Sequence, residues 1–282
     1  MLSFYKRHIK FITDHAVDPD KRRNIVRNEG AHHYIDIDYY GPYPYTELPR
    51  KWDEAKTKYS VDTLNKNGIL PWHIQIVLAR LTKAFKDKDF IKILKNSADI
   101  GHYIADAHVP LHTSKNHNGQ LTDQVGIHAF WESRIPELLA DKHFNFFIGK
   151  AEYLKYPAEF MWARVLESAK AADSVLLFER ELSKEFKPRK KYAFEQRNKI
   201  IMKQYSSAYT IAYNTRLNGM VERRMRQAIF SVASFWYTAW VNAGQPNLDD
   251  VADNKISPAD MKEFEDLNIL WKNGRTLGRE HE

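Results

Sequence analysis

The sequence predicts an all-α protein, a single domain of many helices. Apolar residues recur at helical spacing along most of the chain, and alternating strand patterns are scarce. Hydrophobic residues make up 43% of the 282 residues and aromatic residues 13%, enough to form a substantial core. The sequence contains no internal repeat and no linker long enough to divide it, so we expect one domain over residues 1–282.

The helical spacing predicts helices over residues 4–14, 71–85, 89–108, from about 128 onward, and over 158–182, 191–216, 220–241 and 257–274. Pro110 should end the third helix, because proline lacks an amide hydrogen and restricts the residue before it. Asn118-Gly119 predicts a turn. The last helix begins at Ser257-Pro258, which suits a cap followed by the first helical position, and ends near Gly274.

Composition excludes several classes of site. The chain has no cysteine, so disulfides, thiolate zinc sites, iron–sulfur clusters and cysteine nucleophiles are excluded. The net charge of +7 favours an anionic partner such as phosphate, nucleic acid or acidic lipid. Lys6 and Arg7 interrupt the start, which lacks the apolar stretch of a secretory signal. The longest apolar run, residues 228–241, is too short to cross a bilayer, so we expect no transmembrane segment.

Candidate metal ligands concentrate between residues 102 and 132. His102 and Asp106 stand four apart on a predicted helix, and so do His128 and Glu132, which places each pair on one helix face about 6 Å apart. His112 follows the predicted helix end and offers a fifth ligand. Imidazoles and carboxylates are ligands that zinc accepts, and the two oxygens of Asp106 could bridge two metal ions. We therefore expect a metal cluster buried between the helices of this single multi-helix domain.

Further acidic and imidazole side chains lie upstream, at Asp18, Asp20, His32, His33, Asp36 and Asp38. Asp18-Pro19-Asp20 taken alone predicts a turn or a helix cap. The neighbouring Lys21-Arg22-Arg23 is either a solvated face or a guanidinium clamp for a phosphate oxygen. Four histidines without a carboxylate at useful spacing are expected to be structural, namely His15, His73, His117 and His143, and His108 is given no role.

The run HYIADAHVPLH, followed by HAFWE, resembles the metal-binding core of the zinc-dependent phospholipase C family, which is related to the zinc-dependent single-strand nucleases of fungi and plants. The family pattern of His-x3-Asp-x5-His, then His-x3-Glu, falls on His102, Asp106, His112, His128 and Glu132. Upstream, Asp20, with Asp18 as the alternative, and His33 match the family's further Asp and His. The specific part of the resemblance is residues 15–132.

The resemblance implies one zinc site from Asp20, His33, His102 and Asp106, and a second from His112, His128 and Glu132. The family's third zinc shares the bridging Asp and takes an amino-terminal Trp and a nearby His. This sequence departs from that pattern, since its first Trp is Trp52 and His8 lies outside the motif. We therefore expect the amino-terminal part of the family domain to be missing here. The resemblance also implies a secreted or periplasmic protein.

The function that the resemblance implies is hydrolysis of a phosphodiester by metal-activated water, with Asp20 orienting or deprotonating the water and Arg23 stabilising developing charge. The substrate is expected to be a phospholipid head group or single-stranded nucleic acid, and no stable protein partner is implied. Glu132 and the absence of cysteine match the phospholipases better. The basic segment of residues 184–203, with Phe186, Tyr192 and Phe194, is either a track for a polyanionic strand or an exposed helical face.

Two other classes stay open. In a non-catalytic protein, metal ions would contribute only folding free energy. A basic helical binding module without metal would fit the charge but would leave the His and Asp spacing as coincidence.

Overall fold

The computed structural model describes residues 1–23, 25–197 and 200–274, and within them the chain is mostly α-helical, which confirms the predicted fold class. The helices and strands are α1 (Leu2–His15), α2 (Asp18–Arg22), α3 (Trp52–Tyr59), α4 (Val61–Asn67), α5 (Leu70–Lys86), α6 (Phe90–Ala107), α7 (Ile127–Ala129), α8 (Ile135–His143), α9 (Pro157–Glu185), α10 (Pro188–Lys191), β1 (Tyr192–Arg197), β2 (Ile200–Tyr205), α11 (Ser207–Arg216), α12 (Met220–Asn242) and α13 (Pro258–Asn273). Short 3-10 turns lie at Glu29–His32, Ile37–Tyr40, Pro110–Thr113 and Asp249–Val251, and a π-helical turn at Phe130–Arg134.

Local signals fix most helix ends. The side chain of Asp89 accepts the backbone N–H of Lys92 and begins α6. Ser257 caps α13 in the same way by accepting the N–H of Asp260. α6 ends at Ala107, and Pro110 opens a 3-10 turn, so the predicted break before Pro110 is confirmed.

The predicted helix over residues 191–216 is wrong in its first half. β1 and β2 form an antiparallel hairpin there, with Tyr192 opposite Tyr205 and Phe194 opposite Lys203. Helix α11 begins only at Ser207, where Ser206 caps it. The prediction assumed that the apolar residues of this segment pack against the core, but Phe194 is 75% exposed. The aromatic and β-branched residues of the segment favour strands instead.

The buried side chains form two clusters. The larger lies among α1, α5, α6, α9 and α12, with fully buried members such as Phe85, Tyr103 and Phe235. The smaller surrounds Phe130, Tyr209 and Tyr213, where α7, α8, α9 and α11 meet. The end of α6 and the 3-10 turn that follows it connect the two clusters, and this is where the candidate ligands lie.

None of the described helices is long and apolar enough to cross a membrane. The apolar run of residues 228–241 lies within α12, and its Phe235 and Ala239 are fully buried in the larger cluster.

Candidate metal centre

Five short segments place the candidate ligands. Helix α2 carries Asp20, the residue after the first 3-10 turn is His33, and α6 carries His102 and Asp106. The 3-10 turn after α6 carries His112, and α7 with its π-helical continuation carries His128 and Glu132. All seven residues that the family resemblance implies therefore lie in this region of the molecule.

The first donor group consists of Asp20, His33 and His102, whose donor atoms all lie within 4.8 Å of one another. His33 Nδ1 lies 3.0 Å from His102 Nε2. Asp20 Oδ1 lies 3.6 Å from His33 Nδ1 and 3.7 Å from His102 Nε2. Three donors that converge in this way match part of a tetrahedral zinc shell.

The second donor group consists of His112, His128 and Glu132, again within 4.8 Å. His128 Nε2 lies 2.8 Å from Glu132 Oε2 and 3.2 Å from His112 Nε2. His112 Nε2 lies 3.5 Å from Glu132 Oε2. The i, i+4 spacing of His128 and Glu132 thus brings both to one point, although the helix widens into a π turn between them.

Asp106 lies between the two donor groups. Its Oδ2 lies 3.0 Å from His33 Nδ1 and 3.3 Å from His102 Nε2. Its Oδ1 faces the other way and lies 4.0 Å from His112 Nε2. One buried carboxylate therefore presents an oxygen to each donor group, as a bridging ligand would.

Backbone carbonyls orient the imidazoles of the second group. His112 Nδ1 donates to the carbonyl oxygen of His33 at 2.5 Å, and His128 Nδ1 donates to that of His117 at 3.0 Å. A carbonyl only accepts, so both hydrogens are on Nδ1 and both Nε2 atoms carry a lone pair when the rings are neutral. This tautomer leaves Nε2 of both rings able to bind a metal ion.

His33 has the opposite orientation. Its Nδ1 faces the first group, and its Nε2 lies 3.8 Å from Glu29 Oε1. The buried Glu29 also accepts from the hydroxyl of Tyr103 and lies 3.3 Å from His32 Nδ1. Burial alone would raise the pKa of Glu29, but the hydrogen bond from His32 and the charge of Arg22 lower it to about 2. Sequence reasoning missed Glu29, although its i, i+4 spacing to His33 was a signal.

A tight loop holds His128 in place. The side-chain oxygen of Asn118 accepts the backbone N–H groups of Gly126 and His128 at 2.9 and 3.4 Å. Gly119 follows with a φ of +73°, and a Cβ there would lie 2.5 Å from the carbonyl oxygen of Gln124. The predicted Asn-Gly turn therefore positions one of the ligands.

Electrostatics keeps the carboxylates ionised. Burial would raise the pKa of Asp106, but the nearby His102, His112 and His33 hold it below its usual value. Desolvation likewise opposes the charge of Glu132, and hydrogen bonds from His112 and His128 outweigh it, so its pKa is well below the usual range. Burial lowers the pKa of His33 and favours its neutral form, whereas the carboxylates of Asp106 and Glu132 outweigh burial at His112 and raise its pKa, so His112 has to lose its proton before it can bind metal. Ionised carboxylates and neutral imidazoles are the forms that bind metal.

Two of the candidate ligands have side chains that are partly exposed to solvent. His33 and His112 are 1% exposed, whereas the Asp20 side chain is 43% exposed and that of Glu132 is 36% exposed. The two donor groups are therefore closest to solvent at Asp20 and Glu132.

The structure separates Asp20 from Asp18. The Asp18 carboxylate lies 2.7 Å from His15 Nδ1 and 2.7 Å from Lys21 Nζ, outside both donor groups. The buried Arg23 places Nη1 3.8 Å from Asp20 Oδ1, next to the first donor group.

The other histidines and acidic residues singled out from the sequence lie outside the donor groups in the part of the chain that the structure describes. His73 stacks on His32 at 3.6 Å between ring centroids. His108 is buried and bonds through Nδ1 to the carbonyl oxygen of Ile104. Asp38 accepts from Ser114 and the backbone of Lys115. The other positions in this class are His8, His15, Asp36, His117 and His143.

The donor set fits a divalent ion of intermediate softness. It contains imidazole nitrogens and carboxylate oxygens and no thiolate, a combination that zinc accepts and that disfavours copper(I). Comparisons of the chain with protein-family models, curated proteins and solved structures found no match.

Proposed function

We propose that the chain is a metal-dependent phosphoester hydrolase, a phosphodiesterase of the phospholipase C kind with two zinc ions. Asp20, His33, His102 and Asp106 would hold one ion, and His112, His128 and Glu132 would hold the other. The observation that carries the proposal is the position of Asp106, which contacts two converging donor groups at once. Paired sites of this kind are typical of enzymes that cleave phosphate esters.

When bound, the two ions supply Lewis acidity, lowering the pKa of water from about 15.7 toward 7 and neutralising phosphoryl charge. The chain's own residues supply position and proton transfer. The partly exposed carboxylate of Asp20 would accept a proton from water as the water oxygen bonds to phosphorus. The ester P–O bond breaks, and the leaving alkoxide would take up the proton that Asp20 accepted from the water, which returns Asp20 to its carboxylate form.

Arg23 would assist at the same place. Its guanidinium lies beside Asp20 and carries donors that match phosphoryl oxygens. Because Arg23 is buried, it is oriented before substrate arrives and can stabilise the charge that develops on phosphorus.

The test is hydrolysis of bis(p-nitrophenyl) phosphate and of phosphatidylcholine by the zinc-loaded chain. His102→Ala and Asp106→Ala should abolish zinc-dependent hydrolysis, whereas His143→Ala, outside the donor groups, should leave it unchanged. Full turnover by either of the first two variants would contradict the proposal. A chelator-sensitive melting temperature without hydrolysis in excess zinc would indicate a metal-stabilised protein without catalysis.

A single-strand nuclease is the second candidate. The exposed aromatic rings of Tyr192 and Phe194 lie beside Lys203 on the hairpin, an arrangement that can stack bases and pair with phosphates. Faster cleavage of single-stranded DNA than of phosphatidylcholine would favour this reading.

A further inference from the structure

Positive charge is concentrated in one stretch of the chain. Residues 184–205 contain eight Lys and Arg against two Glu, an excess of six, while the whole chain has an excess of seven. In the structure this stretch comprises the end of α9, helix α10 and the hairpin. Its exposed cations include Lys187, Arg189, Lys190 and Lys203.

The hairpin exposes large apolar side chains on both faces. Phe194 and Ile201 lie on one face and are 75% and 71% exposed. Ile200 and Met202 lie on the other face and are 64% and 48% exposed. A sheet that packs against the core buries the apolar residues of one face, so these four exposed residues are not part of the core. Several large apolar side chains exposed on one short hairpin are typical of an interaction site.

The root of the hairpin is fixed to the segment that carries two metal ligands. The Tyr205 ring stacks on Phe130 at 3.7 Å between centroids, and Phe130 lies between His128 and Glu132 in sequence. Arg134 donates to the carbonyl oxygen of Tyr205 at 3.1 Å and pairs with Glu195 at 2.6 Å. The hairpin is therefore attached beside Glu132, one of the two open sides of the candidate metal centre.

We propose that the two paired strands, Tyr192–Arg197 and Ile200–Tyr205, dock on an anionic phospholipid bilayer. Its four exposed apolar side chains enter the interfacial layer, while the surrounding cations contact lipid phosphates. Docking brings head groups to the open side at Glu132, a consequence that rests on the proposed function. Three of the four apolar residues are aliphatic and cannot stack on bases, so the surface fits a bilayer better than a nucleic acid.

The test is flotation with vesicles of phosphatidylcholine, alone or mixed with phosphatidylglycerol, in EDTA so that no turnover occurs. The chain should bind the mixed vesicles more tightly, and salt should weaken the binding. Ile200→Ser with Ile201→Ser should weaken binding roughly tenfold or more, because two apolar side chains lose their place in the interface. Lys190→Gln with Lys203→Gln should weaken it by roughly fivefold for each charge.

The matched control is Ile9→Ser with Ile76→Ser, two half-exposed isoleucines on α1 and α5. This variant should bind vesicles as the wild type does, and circular dichroism should show both double variants folded. Equal vesicle binding by the hairpin variant and the control would overturn the proposal. So would hairpin-dependent binding of a single-stranded oligonucleotide without any vesicle binding.

Hydrolysis measurements separate this inference from the proposed function. In zinc, the hairpin variant should cleave bis(p-nitrophenyl) phosphate at the wild-type rate and lose activity on vesicles. If the wild type cleaves nothing yet floats with vesicles through its hairpin, the phosphodiesterase proposal fails and the docking proposal stands. If activity on vesicles is unaffected by the hairpin substitutions, the docking proposal fails alone.

Discussion

Replacing Asp106 by Asn should lower the metal affinity of both donor groups at once, because the two oxygens of Asp106 face different groups. Oδ2 contacts His33 and His102 at 3.0 and 3.3 Å, and Oδ1 lies 4.0 Å from His112. Asn keeps the shape of the side chain and removes its charge. The substitution therefore tests the charge of a bridging ligand without creating a cavity.

The expected loss in the free energy of unfolding of Asp106→Asn has one part that is present without metal and one part that depends on bound metal. Hydrogen bonds to a charged group contribute about 1.5–3 kcal/mol, and Asn retains some of this, so we expect a loss of about 1.5 kcal/mol in EDTA. One bound ion at a thousandfold excess over its Kd adds about 4 kcal/mol to the wild-type free energy of unfolding. A 10–100-fold loss of affinity would reduce that gain by about 1.4–2.7 kcal/mol at each of the two sites.

The assay is urea unfolding followed by circular dichroism, in EDTA and in zinc, for wild type, Asp106→Asn and Asp18→Asn. Asp18 is a matched control because it is also buried and paired, with His15 and Lys21, but lies outside the donor groups. Asp18→Asn should lower stability in EDTA and keep the full gain from zinc. The reasoning would be refuted if zinc stabilised Asp106→Asn as much as it stabilises the wild type. It would also be refuted if the stabilisation by zinc fell as much in Asp18→Asn as in Asp106→Asn.

Three further predictions concern the surroundings of the centre. Gly119→Ala places a Cβ 2.5 Å from the Gln124 carbonyl oxygen at a residue with positive φ, so it should lower the free energy of unfolding by about 1–3 kcal/mol. It should also weaken zinc binding at one site, measured by calorimetric titration. Gly101→Ala, whose Cβ has room, should have neither effect. Arg224→Met removes donors from the backbone carbonyls of His108 and Arg164 and should cost about 3 kcal/mol in urea unfolding; a loss below about 1 kcal/mol would contradict this. Burial and His32 lower the pKa of His73 in the folded chain to about 3, so the unfolded chain takes up the proton at a higher pH than the folded chain does. The free energy of unfolding therefore falls as the pH decreases from about 6.5 toward 3. In EDTA, His73→Phe should make this pH dependence shallower by about 1.4 kcal/mol per pH unit, and an unchanged slope would contradict the assignment.

Helices were predictable because their signals are local. The apolar spacing and the flanking Asp89 and Pro110 placed α6 within a residue or two of its observed bounds. The i, i+4 pairs on α6 and on α7 with its π-helical continuation followed from the same periodicity, and the structure brings each pair together.

The hairpin was not predictable from spacing, because its stability depends on contacts that are distant in sequence. Residues 192–205 show apolar spacing that a helix would also satisfy. The stack of Tyr205 on Phe130 and the pair between Arg134 and Glu195 favour the hairpin in the folded chain. Tertiary contacts of this kind override local propensity.

The centre itself was only partly accessible from sequence. Asp20 and His33 entered through the family resemblance, and their closeness to His102 depends on how α2 packs near α6. The groups that orient the imidazoles are backbone carbonyls, and the pair between His112 and the carbonyl of His33 joins positions 79 residues apart. No sequence motif encodes such a partner. The identity of the metal, catalysis and secretion stay predictions.

The most direct test of the account is the zinc content of the folded chain, measured by mass spectrometry after zinc loading and dialysis. The two donor groups predict two zinc ions per chain for the wild type. His128→Gln, which removes a ligand from the second group only, should retain one. Fewer than one ion in the folded wild-type chain would contradict the account.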